Sequence, residues 1–302
     1  MQKLLPILSI FGPTGAGKTA VALALAKLLI EQEKVSGVDI ISADSRQVYR
    51  DIPILSGADV PEEFENFTSG KIRLHGIGML AADESWSLGQ FQSLCFSVFE
   101  QAKKDNRAVL VVGGTALYHK QLLQADPRLR VLPNMSLRAE LEELSVEQLQ
   151  ERLAIHNTKR LEDMNDSDRA NPRRLVRAIE QESACVGIQN YETDLPEQKF
   201  LSVSAPSEIL KERIAQRVQQ RFATGAVAEV QKILKLPTVS EQLQTACGFV
   251  EISQFLAGEI NEPTCLQNWA DRELQYSKSQ QKWETQFPDA HTDLLQVLDS
   301  VY

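Results

Sequence analysis

The stretch Gly12-Pro13-Thr14-Gly15-Ala16-Gly17-Lys18-Thr19 decides the fold of this chain. It has the spacing G-x-x-x-x-G-K-T, in which glycines turn several backbone N–H groups toward one anion and the lysine adds a point charge. A short apolar segment over 4–11 precedes it and a helical pattern over 18–33 follows it. This strand, loop and helix context is the one that a phosphate loop requires. The phosphate-binding residues that it predicts are Gly12, Thr14, Gly15, Gly17, Lys18 and Thr19, with the Thr19 hydroxyl as a ligand of Mg²⁺.

The segments that follow alternate between strand and helix patterns. Residues 108–112 form an unbroken apolar run and residues 38–43 a mostly apolar one, which is typical of strands buried on both faces of a sheet. Between them, residues 87–104 place apolar side chains at helical spacing. This alternation predicts an α/β fold of the P-loop NTPase type, with a mainly parallel sheet flanked by helices. The C-terminal part adds one strand pattern and two long helical patterns, at 199–204, 207–224 and 262–287.

The middle of the chain has a different pattern. From about residue 125 one helical segment follows another, and no strand pattern returns until residue 199. We therefore predict two domains. An all-helical insertion domain would comprise residues 125–197, and the α/β core would comprise residues 1–124 and 198–302.

Composition restricts the kind of protein. The 302 residues carry a formal net charge of -9, which disfavours a protein that grips nucleic acid over its whole surface, because such binding depends on Lys and Arg. The four cysteines lack the paired spacing of a zinc site or a disulfide framework. The sequence shows neither a leader peptide nor an apolar run of about eighteen residues. We therefore expect a cytoplasmic protein that does not associate with membranes.

Asp44 stands directly after the second predicted strand. Ligands of an open α/β sheet bind outside the carboxyl ends of the strands, so this carboxylate is expected near the phosphate loop. There it would accept a proton from a nucleophile or orient Mg²⁺, with Ser45 and Gln47 as polar neighbours. Taken alone, an Asp at this position is equally compatible with a turn or cap residue.

The third predicted strand argues against nucleotide hydrolysis. In many ATPases and GTPases a buried strand ends in an acidic residue that positions Mg²⁺. Here residues 108–112 are followed by Gly113-Gly114-Thr115 instead.

Three motifs together resemble one known family. They are the phosphate loop, the stretch Ser42-Ala43-Asp44-Ser45-Arg46-Gln47-Val48-Tyr49-Arg50 and the stretch Val112-Gly113-Gly114-Thr115-Ala116-Leu117-Tyr118. Their order and spacing are similar to those of the tRNA dimethylallyltransferase (isopentenyltransferase) family. Residues 171–180, 212–218, 247–251 and 256–259 continue the resemblance, which extends over nearly the whole chain.

This resemblance implies an activity. The expected reaction transfers a dimethylallyl group from dimethylallyl diphosphate to N6 of adenosine 37, just 3′ of the tRNA anticodon, and releases diphosphate. The phosphate loop would then hold a leaving group, with Mg²⁺ as the cofactor. We expect tRNA, through its anticodon stem-loop, and dimethylallyl diphosphate as the partners of a monomer without an obligate protein partner.

The resemblance also implies roles for single residues. Asp44 would be the general base at the adenine amine. Lys18, Thr19 with Mg²⁺, and Arg217 would stabilise the departing diphosphate, since a poor amine nucleophile needs a well-neutralised leaving group. Thr115 and Gln47 would suit contacts with the donor or the adenine.

The predicted insertion is the expected tRNA clamp. Residues 125–197 contain ten basic and fifteen acidic residues, so binding there must depend on placement. Nine of the ten are arginines, which favours bidentate phosphate contacts over a diffuse field. A salt-bridged helical surface is the alternative interpretation of any one of them. The residues predicted to contact tRNA are Ser45, Gln47, Arg173, Arg174, Arg177 and Lys278.

The sequence departs from the family pattern in places. A C-terminal run of the family with two arginines corresponds here to residues 273–280, where Leu274 and Ser279 replace the arginines and Lys278 and Gln280 remain. A glycine-threonine-alanine-lysine-proline stretch of the family has lost its lysine at residues 56–61, and only His75 remains of a histidine pair. These changes remove positive charge where donor or tRNA phosphates would be held.

Three other functions are compatible with the phosphate loop. One is a small-molecule kinase that uses ATP, and another is an enzyme that transfers an isopentenyl group to a free adenine nucleotide. The third is a catalytically silent homologue that binds tRNA. The arginine-bearing insertion favours tRNA over the first two.

Overall fold

The chain packs into two compact units. The structure, a computed structural model, describes residues 5–58, 70–122, 127–131, 133–184, 196–287 and 290. The larger unit, called the core unit below, contains residues 1–87, 91–123 and 195–302. The smaller unit, called the helical unit, contains residues 88–90 and 124–194.

The core unit is built on a five-stranded parallel sheet. The strands are β1 (Ile7–Phe11), β2 (Val38–Ser42), β3 (Ile72–His75), β4 (Ala108–Gly113) and β5 (Gln198–Ser202). They are arranged in the order β3-β2-β4-β1-β5. Every residue of β1, β2 and β4 is buried, and their sequences are accordingly mostly apolar, with Ser9, Asp39 and Ser42 as the polar exceptions. The predicted α/β fold with a parallel sheet and flanking helices is confirmed.

The edge strand β3 was not predicted. Only Ile72 of its four residues is buried, and apolar and polar residues alternate along it. An edge strand that is covered on one face does not have the continuous apolar run of a central strand. The pairing of Ile41 with His75 places the end of β3 beside the end of β2.

Nine helices are described in the core unit or mostly in it. They are α1 (Lys18–Glu31), α2 (Pro53–Ser56), α3 (Leu88–Asp105), α4 (Ala116–Gln121), α9 (Ser207–Arg221), α10 (Val227–Ile233), α11 (Glu241–Gln244), α12 (Phe249–Leu256) and α13 (Glu262–Gln281). Two predicted helices end early. The helix predicted to reach 224 stops at Arg221 and continues as a π-helical turn over Phe222–Ala226, where Gly225 has a φ of 138°. The helix predicted to reach 287 stops at Gln281, before a 3₁₀ turn at Glu284–Gln286.

Two large apolar clusters of the core unit position the elements around the site. One lies between the sheet and α1 and includes Leu8, Leu25 and Leu110. The other joins α2 to the C-terminal helices and is centred on Trp269, which is fully buried. This second cluster fixes α9 and α13 against each other, and both helices supply side chains to the site described below.

The helical unit contains a 3₁₀ turn and four helices among its described residues. The turn is Pro127–Arg130, and the helices are α5 (Met135–Glu142), α6 (Val146–Glu162), α7 (Asp166–Arg169) and α8 (Pro172–Ala184). Leu149, Leu153 and Leu175 lie in its own apolar cluster. Ser145 begins α6 with a capping box, in which its side chain and that of Gln148 satisfy each other's backbone N–H groups.

In the described part of the chain, no helix combines the length and the apolar character needed to span a membrane. Of the stretch 56–61, in which the family lysine is missing, residues 59–61 lie outside the described residues.

Candidate active site

The phosphate loop connects β1 to α1. Gly17 is the residue before α1 and has a left-handed backbone with φ 94°, which a glycine adopts without strain. Gly12 has a φ of 148°, and a Cβ atom there would overlap the carbonyl of Val203 beyond β5. Glycines at these two positions let the loop turn tightly at the carboxyl end of the sheet and lead into a helix N-terminus.

Lys18 points back over the loop. Its Nζ donates to the carbonyl oxygens of Gly12 at 2.9 Å and Pro13 at 2.8 Å. Burial lowers the pKa of Lys18 to about 8, nearby Asp44 opposes that shift, and the positive charge of Arg217 adds to it. The amine is therefore a buried cation whose charge an incoming anion would stabilise.

Asp44 follows the end of β2, as predicted, and lines the same cavity as the loop. Its Oδ1 accepts the backbone N–H of Arg46 at 2.8 Å, which fixes the carboxylate in a turn. Ser45 also lines the cavity, and its Oγ accepts from the Arg46 guanidinium at 3.2 Å. The strand end therefore presents a carboxylate and a hydroxyl on one wall.

Gln47 lies on the same wall but is tied at both ends of its amide. Its Oε1 accepts from the Ser42 hydroxyl at 2.7 Å, and its Nε2 donates to the Gly57 carbonyl at 2.9 Å. The side chain joins the end of β2 to the end of α2. Its predicted contact with tRNA or adenine stays a prediction.

The glycines after β4 allow two close approaches. A Cβ on Gly113 would overlap the backbone of Ala43, and a Cβ on Gly114 would overlap the amide of Gln280. The Thr115 N–H donates to the Ala43 carbonyl at 3.2 Å. The Thr115 hydroxyl is buried beside the phenol of Tyr276 and makes no hydrogen bond of good geometry within the described residues. Its predicted role at the donor stays a prediction.

The helix α9 supplies arginines to the opposite wall. Arg217 donates through Nη2 to the Thr14 hydroxyl at 2.6 Å and also to Glu273. Arg221, one turn further, is buried and donates through Nη1 to the other oxygen of Glu273 at 3.2 Å. Arg213 donates to the Gly15 carbonyl at 3.2 Å. Three successive turns of one helix thus direct guanidinium groups into the cavity, and those of Arg213 and Arg217 contact the loop.

The helix α13 contributes two site residues, Glu273 and Gln280, to which the sequence analysis assigned no role. Glu273 is 4% exposed and accepts from Arg217, Arg221 and the indole Nε1 of Trp269. Gln280 is buried, and its Oε1 accepts the Thr14 N–H at 2.8 Å. A signal for both is present in the sequence. The buried positions of α13 are apolar at 265 and 269 and polar at 273, 277 and 280, a change along one helical stripe that marks a polar site.

The two positions at which the family has arginine, Leu274 and Ser279, lie in different environments. Leu274 packs against the apolar cluster around Trp269, whereas Ser279 is exposed and donates its hydroxyl to the Tyr276 carbonyl at 2.7 Å. Lys278 is exposed and does not line the cavity.

These walls enclose a cavity of about 720 Å³ in the core unit. Two carboxylates, Asp44 and Glu273, line it. The cationic side chains in its wall are Lys18, Arg46, Arg213, Arg217, Arg221 and Arg272. The protein as a whole has a net charge of -9, so this concentration of positive charge is local and suits a polyanionic ligand.

A site for Mg²⁺ would depend on phosphate oxygens. Within the described residues, no group of three or more His, Cys, Asp or Glu side chains forms a metal cluster. Mg²⁺ in phosphate sites is usually held by one or two protein oxygens together with substrate phosphates and water. Thr19 lines the cavity, and its hydroxyl fits that pattern.

The three arginines predicted to contact tRNA lie on α8 of the helical unit. Arg174 pairs with Asp168, and Arg173 also has a partner. Arg177 donates to the Val131 carbonyl at 2.7 Å and pairs with Glu180 at 3.3 Å. Whether these arginines contact tRNA stays a prediction.

Known proteins resemble this chain over most of its length. A family model described as IPP transferase matches residues 47–286. A tRNA dimethylallyltransferase 2 of Syntrophotalea carbinolica is 33% identical over 92% of this chain and 89% of the relative. A tRNA dimethylallyltransferase 1 of Azobacteroides pseudotrichonymphae is 30% identical over 92% of this chain and 88% of the relative.

Solved structures have a similar fold. A tRNA isopentenylpyrophosphate transferase from Bacillus halodurans superposes with a TM-score of 0.65 and 23% identity, over 100% of this chain and 94% of the other. A eukaryotic dimethylallyltransferase described as acting on tRNA superposes with a TM-score of 0.74 and 23% identity, over 97% of this chain and 75% of the other.

Proposed function

The chain belongs to the IPP transferase family, and from that premise we propose that its cavity transfers a dimethylallyl group from dimethylallyl diphosphate to N6 of the adenosine 3′ of a tRNA anticodon. One observation supports this assignment above the others. The phosphate loop, the Asp44 carboxylate and the α9 arginines line one cavity. A group that binds diphosphate and a group that accepts a proton are thus both within reach of one small substrate.

The reaction forms one carbon–nitrogen bond, breaks one carbon–oxygen bond and transfers one proton. The N6 nitrogen of adenine attacks C1 of the dimethylallyl group, and the bond between C1 and the diphosphate oxygen breaks. The electron pair of that bond leaves with diphosphate, and one N6 proton passes to Asp44. A carboxylate at this place acts as a general base, which typically contributes about 10² to 10⁴ in rate.

The remaining groups neutralise the leaving diphosphate. Lys18 and Arg217 would bind its oxygens together with backbone N–H groups of the loop, and Thr19 would hold Mg²⁺ against them. Bound Mg²⁺ supplies positive charge to diphosphate oxygens. Donors that already lie where negative charge develops lower the barrier without reorganising during the reaction.

The helical unit is proposed to hold tRNA. The target adenine must leave its stack to reach a cavity, so the enzyme has to grip the anticodon arm beside the flipped base. We assign that role to the insertion, residues 125–197, and the chemistry to residues 1–124 and 198–302. Since residues of one chain supply every catalytic role, the enzyme would act as a monomer.

A product assay tests the function. Purified protein is incubated with Mg²⁺, dimethylallyl diphosphate and a tRNA that carries adenosine 3′ of its anticodon, and the digested tRNA is analysed by mass spectrometry. We expect N6-isopentenyladenosine. Parallel reactions with AMP as acceptor and with ATP as donor test the two alternative enzymes, and we expect neither to turn over. Phosphate transfer from ATP without isopentenyl transfer would refute the proposal.

Replacing the base tests the mechanism. The Asp44→Asn variant should lose at least about 100-fold in kcat, because the amide does not accept the N6 proton. Donor affinity, measured without tRNA, should change by less than about threefold. Asp51→Asn is the matched control, since Asp51 is exposed and does not line the cavity. Normal turnover by Asp44→Asn would remove Asp44 from the mechanism.

A further inference from the structure

Two acceptors on α13 hold groups that a diphosphate would need. Gln280 Oε1 accepts the Thr14 N–H at 2.8 Å, and Glu273 accepts from Arg217. Both side chains are buried, at 6% and 4% exposure, and both line the cavity. The protein therefore places two of its own oxygens against the diphosphate-binding groups.

The contact of Gln280 competes directly with a ligand. A backbone N–H makes one strong hydrogen bond, so Thr14 N–H reaches a diphosphate oxygen only when Gln280 Oε1 moves away. The Gln280 amide lies directly above Gly114, where a Cβ would overlap it. Because Gly114 has no side chain, the amide has room to reach across to the loop.

The contact of Glu273 competes through Arg217. The Nη2 atom has two hydrogens, and its two acceptors are Thr14 Oγ1 and Glu273 Oε2. Nη2 therefore binds a phosphate oxygen only by giving up one of them. Arg217 Nε is buried and has no hydrogen-bond partner among the described residues. An unsatisfied buried donor costs about 1 to 3 kcal/mol, so a ligand oxygen that reached Nε would supply a hydrogen bond that the described residues do not.

Glu273 is held firmly enough to keep its place when Arg217 moves. Arg221 Nη1 donates to Oε1 at 3.2 Å, and the Trp269 indole donates to the same oxygen at 3.1 Å. Its negative charge also opposes the approach of diphosphate. The carboxylate thus acts against the ligand both by hydrogen bonding and by charge.

We propose that Glu273 and Gln280 set the affinity for diphosphate. In the free enzyme Glu273 binds Arg217 and Gln280 binds the Thr14 N–H, and diphosphate oxygens must displace these two acceptors in order to bind. When diphosphate leaves, Glu273 and Gln280 bind the same two groups again. This inference rests on the proposed function, since the ligand that exchanges is the donor's diphosphate. It assigns to α13 the role of limiting how tightly the product is retained.

The test measures binding of pyrophosphate with Mg²⁺ by isothermal titration calorimetry, on the full-length wild type and two variants. Gln280→Ala should bind pyrophosphate about 3- to 10-fold more tightly, since a competing hydrogen bond is worth about 1 kcal/mol. Glu273→Gln should bind it on the order of tenfold more tightly, because a repelling charge is removed. Inhibition of tRNA modification by pyrophosphate should strengthen in the same order.

The controls are two exposed residues of α13. Gln267→Ala and Asp271→Asn make the matching changes away from the cavity and should leave pyrophosphate affinity unchanged. If Glu273→Gln lowers the melting temperature because Arg221 loses its buried partner, Gln280→Ala alone decides the question.

The outcomes separate this inference from the function on which it rests. Weaker or unchanged pyrophosphate binding by Gln280→Ala would overturn the inference. If the wild type modifies tRNA and binds pyrophosphate while the variants bind it equally, the inference alone fails. A wild type that binds no pyrophosphate and yields no modified tRNA would refute both.

Discussion

Each unit of the molecule contains a buried glutamate that bridges two arginines. In the core unit Glu273 joins Arg217 and Arg221, and in the helical unit Glu180 joins Arg138 and Arg177. Both glutamates are almost fully buried, at 4% and 2% exposure. The residue types are the same, so their surroundings must account for any difference in role.

The two clusters differ in whether the buried donors of their arginines are all hydrogen-bonded. Glu180 accepts the Asn134 N–H at 2.8 Å, two guanidinium hydrogens of Arg138 at 2.8 and 3.0 Å, and one of Arg177 at 3.3 Å. That arrangement joins a loop to two helices, and we assign it to stability. The Glu273 cluster lines a cavity beside the phosphate loop, and no described residue pairs with Arg217 Nε. An ion pair with an unsatisfied donor in a cavity wall is suited to exchange with a ligand.

The largest effect is expected at Arg217. Arg217→Ala should lower kcat about 100- to 1,000-fold, because a preorganised cation at the leaving group is lost. Its melting temperature should change little, since Arg221 continues to neutralise Glu273. Single-turnover rates at saturating donor check this, with Lys211→Ala as the control, an exposed cation of the same helix outside the cavity. An unchanged rate would exclude Arg217 from the chemistry.

Arg177→Ala makes the corresponding change in the helical unit. It should leave donor affinity unchanged and reduce the stability of that unit, because Arg177 holds both Glu180 and the Val131 carbonyl. If tRNA affinity falls while stability is retained, Arg177 contacts tRNA instead.

Removing the charge of Glu180 should destabilise the helical unit by about 2 to 3 kcal/mol. Breaking a buried pair usually costs about 3 to 5 kcal/mol, and the partial exposure of both arginines reduces that cost. The variant Glu180→Gln is compared with Glu151→Gln, an exposed position on α6. Amide hydrogen exchange of α8 measures the effect in this unit alone. Faster exchange in α8 together with unchanged pyrophosphate affinity would confirm that the two clusters act separately.

The sequence predicted the parts of this site that depend on local order. The phosphate loop lies between β1 and α1, and Asp44 follows β2, so chain continuity and the parallel sheet suffice to bring them together. The contacts of α13 with the site could not be predicted in this way. Glu273 and Arg221 are 52 residues apart in the sequence, and Gln280 and Thr14 are 266 residues apart. Such contacts depend on how α9 and α13 pack, which neither periodicity nor spacing determines.

The arginine pattern shows the same limit. Arg173, Arg174 and Arg177 were selected because arginines favour phosphate contacts. The structure gives two of them carboxylate partners within the helical unit. Asp168 faces Arg174 from another helix, which the sequence does not show, whereas Glu180 lies three residues after Arg177 on α8, a spacing that already indicated a pair.

The charge of Lys18 should make donor binding depend on pH. Burial lowers its pKa to about 8, so the amine loses its proton as pH rises through that value. Dimethylallyl diphosphate should therefore bind on the order of tenfold more weakly at about pH 9 than at about pH 7, measured without tRNA. Lys18→Ala should bind more weakly overall and lack this dependence, which separates the lysine from titration of the ligand. A pH dependence that persists in Lys18→Ala would assign it to another group.

The smallest effect is expected when the pH is lowered, which should reduce the stability of the helical unit. Burial acts to raise the pKa of Glu180, but hydrogen bonds from Arg138, the Asn134 N–H and Arg177 outweigh it, so the pKa lies below the ordinary value of 4.5. The folded unit then binds fewer protons than the unfolded chain near that pH. Stability from Glu180 is therefore present above about pH 4.5 and is lost as pH falls through the lowered pKa, by at most about 1.4 kcal/mol per pH unit.

Hydrogen exchange of α8 between about pH 5 and about pH 3 tests this sign. Because Trp86, Trp269 and Trp283 all belong to the core unit, tryptophan fluorescence does not report on the helical unit. After correction for the intrinsic exchange rate, the wild type should lose protection faster with falling pH than Glu180→Gln, whose side chain does not titrate. Parallel losses in both proteins would show that Glu180 takes up no additional proton on unfolding.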